Sequence, residues 1–338
     1  MNEAHVVERV RCTVDIEKDG KHHGYLNIPH SRDDSAWGAV RVPVSVIRNG
    51  AGPTVLFTGG NHGDEYEGPI ALQKLARRLE PEQVRGCVII MPALNAPAVL
   101  AGTRTSPIDG ANMNRIFPGD RRGGVSAMIA DYVTRHFITR AQTVVDIHSG
   151  GKTLDFVPFA AIHDLENCDQ MTRCREVMAA FDAPVSLVLD ELDSEGMLDT
   201  TVEDMGKTFL STELGGGGFA RLETVRIADQ GVENVLRHLG IVEGKPVSRK
   251  ELGLEPARFL TMNDDATHIS DDNGLFEPLF ELGDAVEKGQ PLARVFDPMR
   301  TDLEPAVYTA NTSGIAIQRH FPGLVKTGDC LAIVGQES

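Results

Sequence analysis

Short, fully apolar runs alternating with helical patterns constrain the fold of this 338-residue chain more than any other feature. Thr54-Val55-Leu56-Phe57-Thr58 ends at Gly59-Gly60, and the recurrence of Ile70, Leu75 and Leu79 predicts a helix behind it. Cys87-Val88-Ile89-Ile90-Met91 and Thr143-Val144-Val145-Asp146-Ile147 read as two more buried strands, with a helix over 125–140 leading into the latter. Further strands are predicted over 155–162, 185–189 and 207–214, with helices around 172–181 and 225–239. Strands buried on both faces and interleaved with helices predict an α/β fold with a largely parallel sheet. Residues 10–48 read as β-structure that precedes or edges this sheet.

The texture changes after Gly240. Residues 247–256 read as a linker, followed by an internal repeat. Gly274…Gly283-x-x-Val286-x-x-Gly289-x-x-Leu292 returns about 40 residues later as Gly314…Gly323-x-Val325-x-x-Gly328-x-x-Leu331. Paired glycine turns between short apolar strands predict a small β-sandwich of two similar halves. The half-motif resembles the biotinyl/lipoyl barrel-sandwich, so a carrier or binding module is the non-enzymatic alternative. A carrier needs a lysine on the hairpin joining its halves, and residues 296–312 contain none. A structural cap is therefore expected, and the domains divide as 1–246 and 257–338.

The formal charge of −16 disfavours a nucleic-acid partner, because phosphate binding calls for a basic surface. Five scattered cysteines without CxxC spacing indicate neither a disulfide framework nor a structural zinc knuckle. No apolar stretch reaches the roughly 20 residues of a membrane span. The first eleven residues lack the apolar core of a secretory signal, so a cytoplasmic location is expected.

Chemistry enters at the strand ends, where open α/β sheets place their sites. His62 and Glu65 follow the first strand in Gly59-Gly60-Asn61-His62-Gly63-Asp64-Glu65, and His148 ends the strand begun at Thr143. Two imidazoles and a carboxylate are the ligand types of an open catalytic zinc site. Asp146 is placed to orient a ligand histidine. Glu213 closes a strand on which Phe209, Ser211 and Glu213 share one face. A carboxylate ending a buried strand is costly without a polar partner, which favours a functional role. The long aperiodic segment 95–124 reads as a functional loop. Neither a G-x-S-x-G elbow nor a G-x-G-x-x-G fingerprint occurs, which disfavours a serine hydrolase and a dinucleotide-binding protein.

Together with Asn112-Met113-Asn114-Arg115-Ile116-Phe117-Pro118-Gly119 and Thr212-Glu213-Leu214-Gly215, these motifs resemble the aspartoacylase/succinylglutamate desuccinylase family, in the zinc carboxypeptidase clan. The resemblance covers most of the chain. It implies a zinc-carboxypeptidase-like sheet flanked by helices, plus the C-terminal β-module. It also implies one Zn2+ held by His62, Glu65 and His148, with Glu213 as general base. By the same resemblance, Arg104 polarises the scissile carbonyl, and Asn114 and Arg115 clamp the substrate carboxylate. Arg104 stands ten residues before Asn114, which departs from aspartoacylase by an insertion.

The implied reaction is hydrolysis of a small N-acyl amino acid by a cytoplasmic enzyme that associates as a homo-oligomer. The run Pro29-His30-Ser31-Arg32-Asp33-Asp34-Ser35-Ala36-Trp37-Gly38 and the loop 95–119 look most like the ectoine-degrading branch. That branch implies deacetylation of N-alpha-acetyl-L-2,4-diaminobutyrate to diaminobutyrate and acetate. Its ammonium side chain would call for a carboxylate, for which the acidic stretch Asp190, Glu191, Asp193 and Glu195 is a candidate, though such a run more often marks a solvated loop. A deacylase of another N-acyl amino acid, or a zinc carboxypeptidase acting on peptides, shares every ligand and is the rival.

Overall fold

A computed structural model describes residues 8–189 and 195–337. Strands β1 (Arg11–Cys12), β2 (Gly20–Pro29) and β3 (Ala39–Asn49) form an antiparallel edge. Beside them lie β4 (Thr54–Gly59), β5 (Gly86–Met91) and β6 (Thr143–His148), with helices α1 (Glu67–Arg78), α2 (Ala96–Ala101) and α3 (Val125–Val133) between them in sequence. Next come β7 (Leu154–Phe156), β8 (Phe159–His163), α4 (Cys168–Phe181), β9 (Val185–Leu189), α5 (Leu198–Asp204), β10 (Thr208–Glu213) and α6 (Leu222–His238).

The sheet runs β1-β2-β3-β5-β4-β6-β10-β8-β9. Its centre is parallel, with β5, β4, β6 and β10 aligned, and β8 inserts antiparallel to β10. Two apolar layers cover its faces. One joins Phe57, Val145 and Leu210 of the sheet to Leu72 and Leu75 of α1 and Val232 and Leu236 of α6. The other packs Leu56, Ile89 and Val144 against Met128, Ile129 and Val133 of α3. Each such buried side chain contributes about 1.5–3 kcal/mol relative to exposure. Leu72, Leu75, Ala76 and Leu79 make the inward stripe of α1 and its end. Ile70 departs from the predicted stripe and is 37% exposed, because it lies one position off that spacing.

The predicted strand over 155–162 is two strands. Pro158, which cannot donate to a ladder, stands at the break. Before it β7 pairs with the C-terminal region, and after it β8 joins the main sheet. Likewise the helix predicted over 125–140 is α-helical only to Val133 and widens to a π-type turn over Thr134–Ile138.

The C-terminal region holds β11 (Arg258–Thr261), β12 (Thr267–Ile269), β13 (Gly274–Pro278), β14 (Ala285–Val286), β15 (Pro291–Phe296), β16 (Ala306–Thr309), β17 (Gly314–His320), β18 (Leu324–Val325) and β19 (Cys330–Glu337). Each repeat yields long strand, short strand, long strand. The halves interlock, since β14 of the first pairs with β17 of the second and β18 of the second pairs with β13 of the first. A separate antiparallel sheet, β16-β15-β13-β18, results. β11 lies parallel to β9 and antiparallel to β19, which extends the main sheet into this region. Among the described residues no helix is long and apolar enough to cross a membrane.

Candidate active site

The turn after β4 delivers His62 and Glu65 just before α1, and β6 delivers His148. Gly63 is what lets this turn lie flat: a Cβ there would sit 2.0 Å from the backbone carbon of Ala98. All three side chains are buried. His62 Nδ1 lies 2.7 Å from Glu65 Oε1, and His148 Nδ1 lies 2.8 Å from Glu65 Oε2. One potential ligand atom from each residue falls within 4.8 Å of the others, so the cluster is able to hold a metal ion.

The opposite ring nitrogens are held from behind. His148 Nε2 is 2.7 Å from Asp146 Oδ2, and His62 Nε2 is 3.1 Å from Asn112 Oδ1. Both partners accept, so with a metal at the common point each Nε2 would carry the hydrogen and each Nδ1 would be free to ligate. Asp146 is itself fixed by Thr58 Oγ1 and Asn61 Nδ2.

Electrostatics agree with a cation at that point. Burial alone would raise Glu65, but the charges and hydrogen bonds of His148 and His62 hold it well below the usual carboxylate range. Burial opposes a charge on His148, yet Asp146 and Glu65 raise it well above the ordinary imidazole value. A divalent ion ligated by His148 would take the place of that positive charge. Two nitrogens and one carboxylate fit zinc.

Glu213 stands beside His148 in the parallel register of β10 and β6. Burial, then the Glu65 charge, push it up to about 8. Its Oε2 has no hydrogen-bond partner among the described residues. The expected alternation holds, since Phe209, Ser211 and Glu213 line a cavity while Leu210 and Leu214 enter the core.

That cavity, about 310 Å³, also receives His62, His148, Arg104, Asn114 and Arg115. Arg104 is half-exposed, with Nη1 3.3 Å from His62 Nδ1 and 3.6 Å from Glu65 Oε1. Asn114 is buried, and its Oδ1 accepts from Leu198 N at 3.0 Å and from Asn61 Nδ2 at 3.2 Å. Arg115 Nη1 donates to the Asn114 carbonyl at 2.7 Å. Met262, Ile317 and Ile333 of the C-terminal region complete one wall.

Of the acidic stretch, Asp190, Glu191 and Asp193 lie outside the described residues, and Glu195 does not line the cavity. Gly215 to Gly218, which follow Glu213 and Leu214, all have positive φ, and at Gly216 a Cβ would fall 2.0 Å from the Leu154 carbonyl oxygen. A larger groove of about 1020 Å³ lies between α1, α4, α6 and the segment 247–254. None of the clustered ligands reaches it, so the smaller cavity is the candidate site.

The sequence model of the succinylglutamate desuccinylase/aspartoacylase catalytic domain matches residues 51–239. The chain belongs to that family. A relative from Halomonas elongata, named N-alpha-acetyl-L-2,4-diaminobutyric acid deacetylase, is 48% identical over 97% of this chain and 95% of its own length. The product-bound structure of the ectoine utilization protein EutE (DoeB) from Ruegeria pomeroyi is 51% identical, with a TM-score of 0.94 over 98% of this chain and 99% of that one. A succinylglutamate desuccinylase structure from Silicibacter sp. TM1040 is 50% identical, with a TM-score of 0.94 over the same shares. Like its family, the chain is a hydrolase of N-acyl amino acids.

Sequence reasoning passed over three polar groups here: Asn112, Asp199 and His163, the last of which lines the cavity from the end of β8. Asn112 lay inside a recognised motif, but nothing in its spacing revealed that it backs His62. Asp199 also lines the cavity, from a helix the sequence did not signal.

Proposed function

We propose that this chain is a zinc-dependent deacetylase that converts N-alpha-acetyl-L-2,4-diaminobutyrate to L-2,4-diaminobutyrate and acetate in ectoine degradation. The observation that carries the reading is one small cavity gathering a His-Glu-His cluster, two arginines and the Glu213 carboxylate, whose buried Oε2 has no hydrogen-bond partner among the described residues. The substrate follows the activity of the Halomonas relative, and the place in ectoine degradation follows the ectoine utilization protein of Ruegeria.

His62, Glu65 and His148 would hold the zinc, which when bound supplies a Lewis acid that acidifies water toward neutrality and takes charge from a carbonyl oxygen. Arg115 and the Asn114 amide grip the substrate α-carboxylate, which a guanidinium can meet with two parallel hydrogen bonds. Arg104 donates to the scissile carbonyl oxygen as charge develops there. Glu213 takes the proton of the attacking water at its unpartnered oxygen and returns a proton to the leaving amine. Its raised pKa suits the return step, because a stronger base holds the proton until the amine departs. The apolar wall from the C-terminal region keeps bulk water away from the reacting bond.

The cavity is at the small end of ligand pockets, which run from about 300 to 1,000 Å³. That size favours a single N-acyl amino acid over a peptide. The test compares N-alpha-acetyl-diaminobutyrate, N-acetyl-aspartate and N-succinyl-glutamate on protein of measured metal content. The expected kcat/KM is highest for the first by about 100-fold or more. A preference for either dianion, or efficient trimming of peptides, would overturn the substrate assignment.

A further inference from the structure

Only two of the described residues lining the cavity bear carboxylates, Glu213 and Asp199. Glu213 is committed to proton transfer in the reading above. Asp199 is not explained by it. This side chain is 6% exposed, at the second position of α5. Its Oδ1 accepts from Thr200 N at 2.7 Å and from Thr200 Oγ1 at 3.3 Å. Among the described residues no hydrogen bond is seen at its Oδ2. Nor does any described lysine or arginine make a salt bridge with it, so among the described residues this buried acid faces the cavity with no lysine or arginine paired to it. Such burial is costly unless a ligand supplies the missing charge.

The start of α5 is tied to the substrate clamp. Leu198 N donates to Asn114 Oδ1 at 3.0 Å, and Phe117 N donates to the Gly196 carbonyl at 2.9 Å. Asp199 is therefore held in fixed relation to the groups that would grip the α-carboxylate. Burial raises its pKa, the nearby charge of His163 opposes that rise, and Glu203 adds to it. His163 cannot be counted as its dedicated partner, because His163 Nδ1 lies 2.8 Å from Glu203 Oε2.

We propose that Asp199 is the specificity-determining residue that receives the side-chain ammonium of the N-acyl diamino acid. This rests on the deacetylase reading given above and extends it. The amino acid is then read at two ends, its α-carboxylate by Arg115 and Asn114 and its terminal ammonium by Asp199, with the acyl bond between them at the zinc cluster. A dicarboxylic N-acyl amino acid would bring its second carboxylate against Asp199 and be refused by like-charge contact.

The test compares N-alpha-acetyl-L-2,4-diaminobutyrate with N-alpha-acetyl-L-norvaline, in which a methyl group replaces the ammonium at the same length. Intact zinc-loaded enzyme should prefer the diamino substrate by about 100-fold in kcat/KM, as a site built around a polar group rejects the analogue that lacks it. Asp199→Asn keeps the acceptor for Thr200 and should retain zinc. It should lose about 100-fold on the diamino substrate while its rate on the norvaline compound stays within about threefold. Equal losses on both substrates would mean that Asp199 only supports the fold, and a preference surviving in Asp199→Asn would place ammonium recognition elsewhere; either overturns the assignment alone. Failure of the intact enzyme to hydrolyse the diamino substrate would overturn the deacetylase reading and this inference with it.

Discussion

Replacing Asp146 tests whether the metal cluster depends on the groups behind it. This carboxylate is 1% exposed and accepts three hydrogen bonds, from Thr58 Oγ1 at 2.7 Å, Asn61 Nδ2 at 2.9 Å and His148 Nε2 at 2.7 Å. Asp146→Ala leaves three donors without their acceptor, at about 1–3 kcal/mol for each that stays dry. It also frees the His148 ring to rotate or change tautomer. Loss of a partner behind a ligating histidine typically weakens metal binding by about 10- to 100-fold, or about 1.4–2.8 kcal/mol.

Asp146→Asn should fall at the mild end. The Thr58 hydroxyl also lies 3.5 Å from the Val145 carbonyl, so it can turn its hydrogen there and accept from the new amide. The asparagine oxygen then still serves Asn61 and His148, and chiefly the charge is lost. Competition with a chromogenic chelator gives the zinc affinity of each variant, and kcat/KM at saturating zinc separates affinity from turnover. Expected losses in affinity are about tenfold for Asn and about 100-fold for Ala. Wild-type affinity in Asp146→Ala, or a larger loss in Asn than in Ala, would refute the reasoning.

Glu213→Gln should retain zinc and lose about 100- to 10,000-fold in kcat, measured with metal content on the same sample; unchanged turnover would remove Glu213 from proton transfer. Gly63→Ala forces a methyl into the Ala98 backbone, so a stability loss of about 1–3 kcal/mol and weaker zinc binding should appear together in thermal melts and metal titration. Arg221 meets Asp155 through two hydrogen bonds of 2.8 and 2.7 Å, and Asp155 is 2% exposed. Arg221→Ala should cost about 3 kcal/mol by denaturant unfolding, the low end for a broken buried pair, since Arg319 remains at 3.8 Å. Zinc uptake by metal-free protein should release protons and tighten as pH rises from 6 toward 8, because His148 is raised and must lose a proton to ligate; pH-independent affinity measured by calorimetry in this range would contradict that.

Much of the site could be read along the chain because its chemistry is concentrated at strand ends. His62 and Glu65 share one turn, and the period of two on β10 aims Phe209, Ser211 and Glu213 into the same cavity. The glycine-punctuated repeat likewise announced a two-part β region. Alternation reports which face a residue occupies, however, and says nothing of which strand lies beside it. Hence the antiparallel insertion of β8 next to β10, and the departure of β7 toward β17 at Pro158, were not legible.

What the residues determined by themselves was local: ligand types suited to zinc, buried strands that end at them, and glycines where backbones must meet. Tertiary structure alone decided that Glu65 faces both imidazoles, that Asp146 and Asn112 turn the rings, and that Met262, Ile317 and Ile333 wall the cavity from more than a hundred positions downstream of Glu65 and His148. It also decided that a buried Asp199 faces the same space. The reason is physical: propensity and periodicity act over a few residues, whereas a cavity and its charges arise only when distant segments are packed against one another.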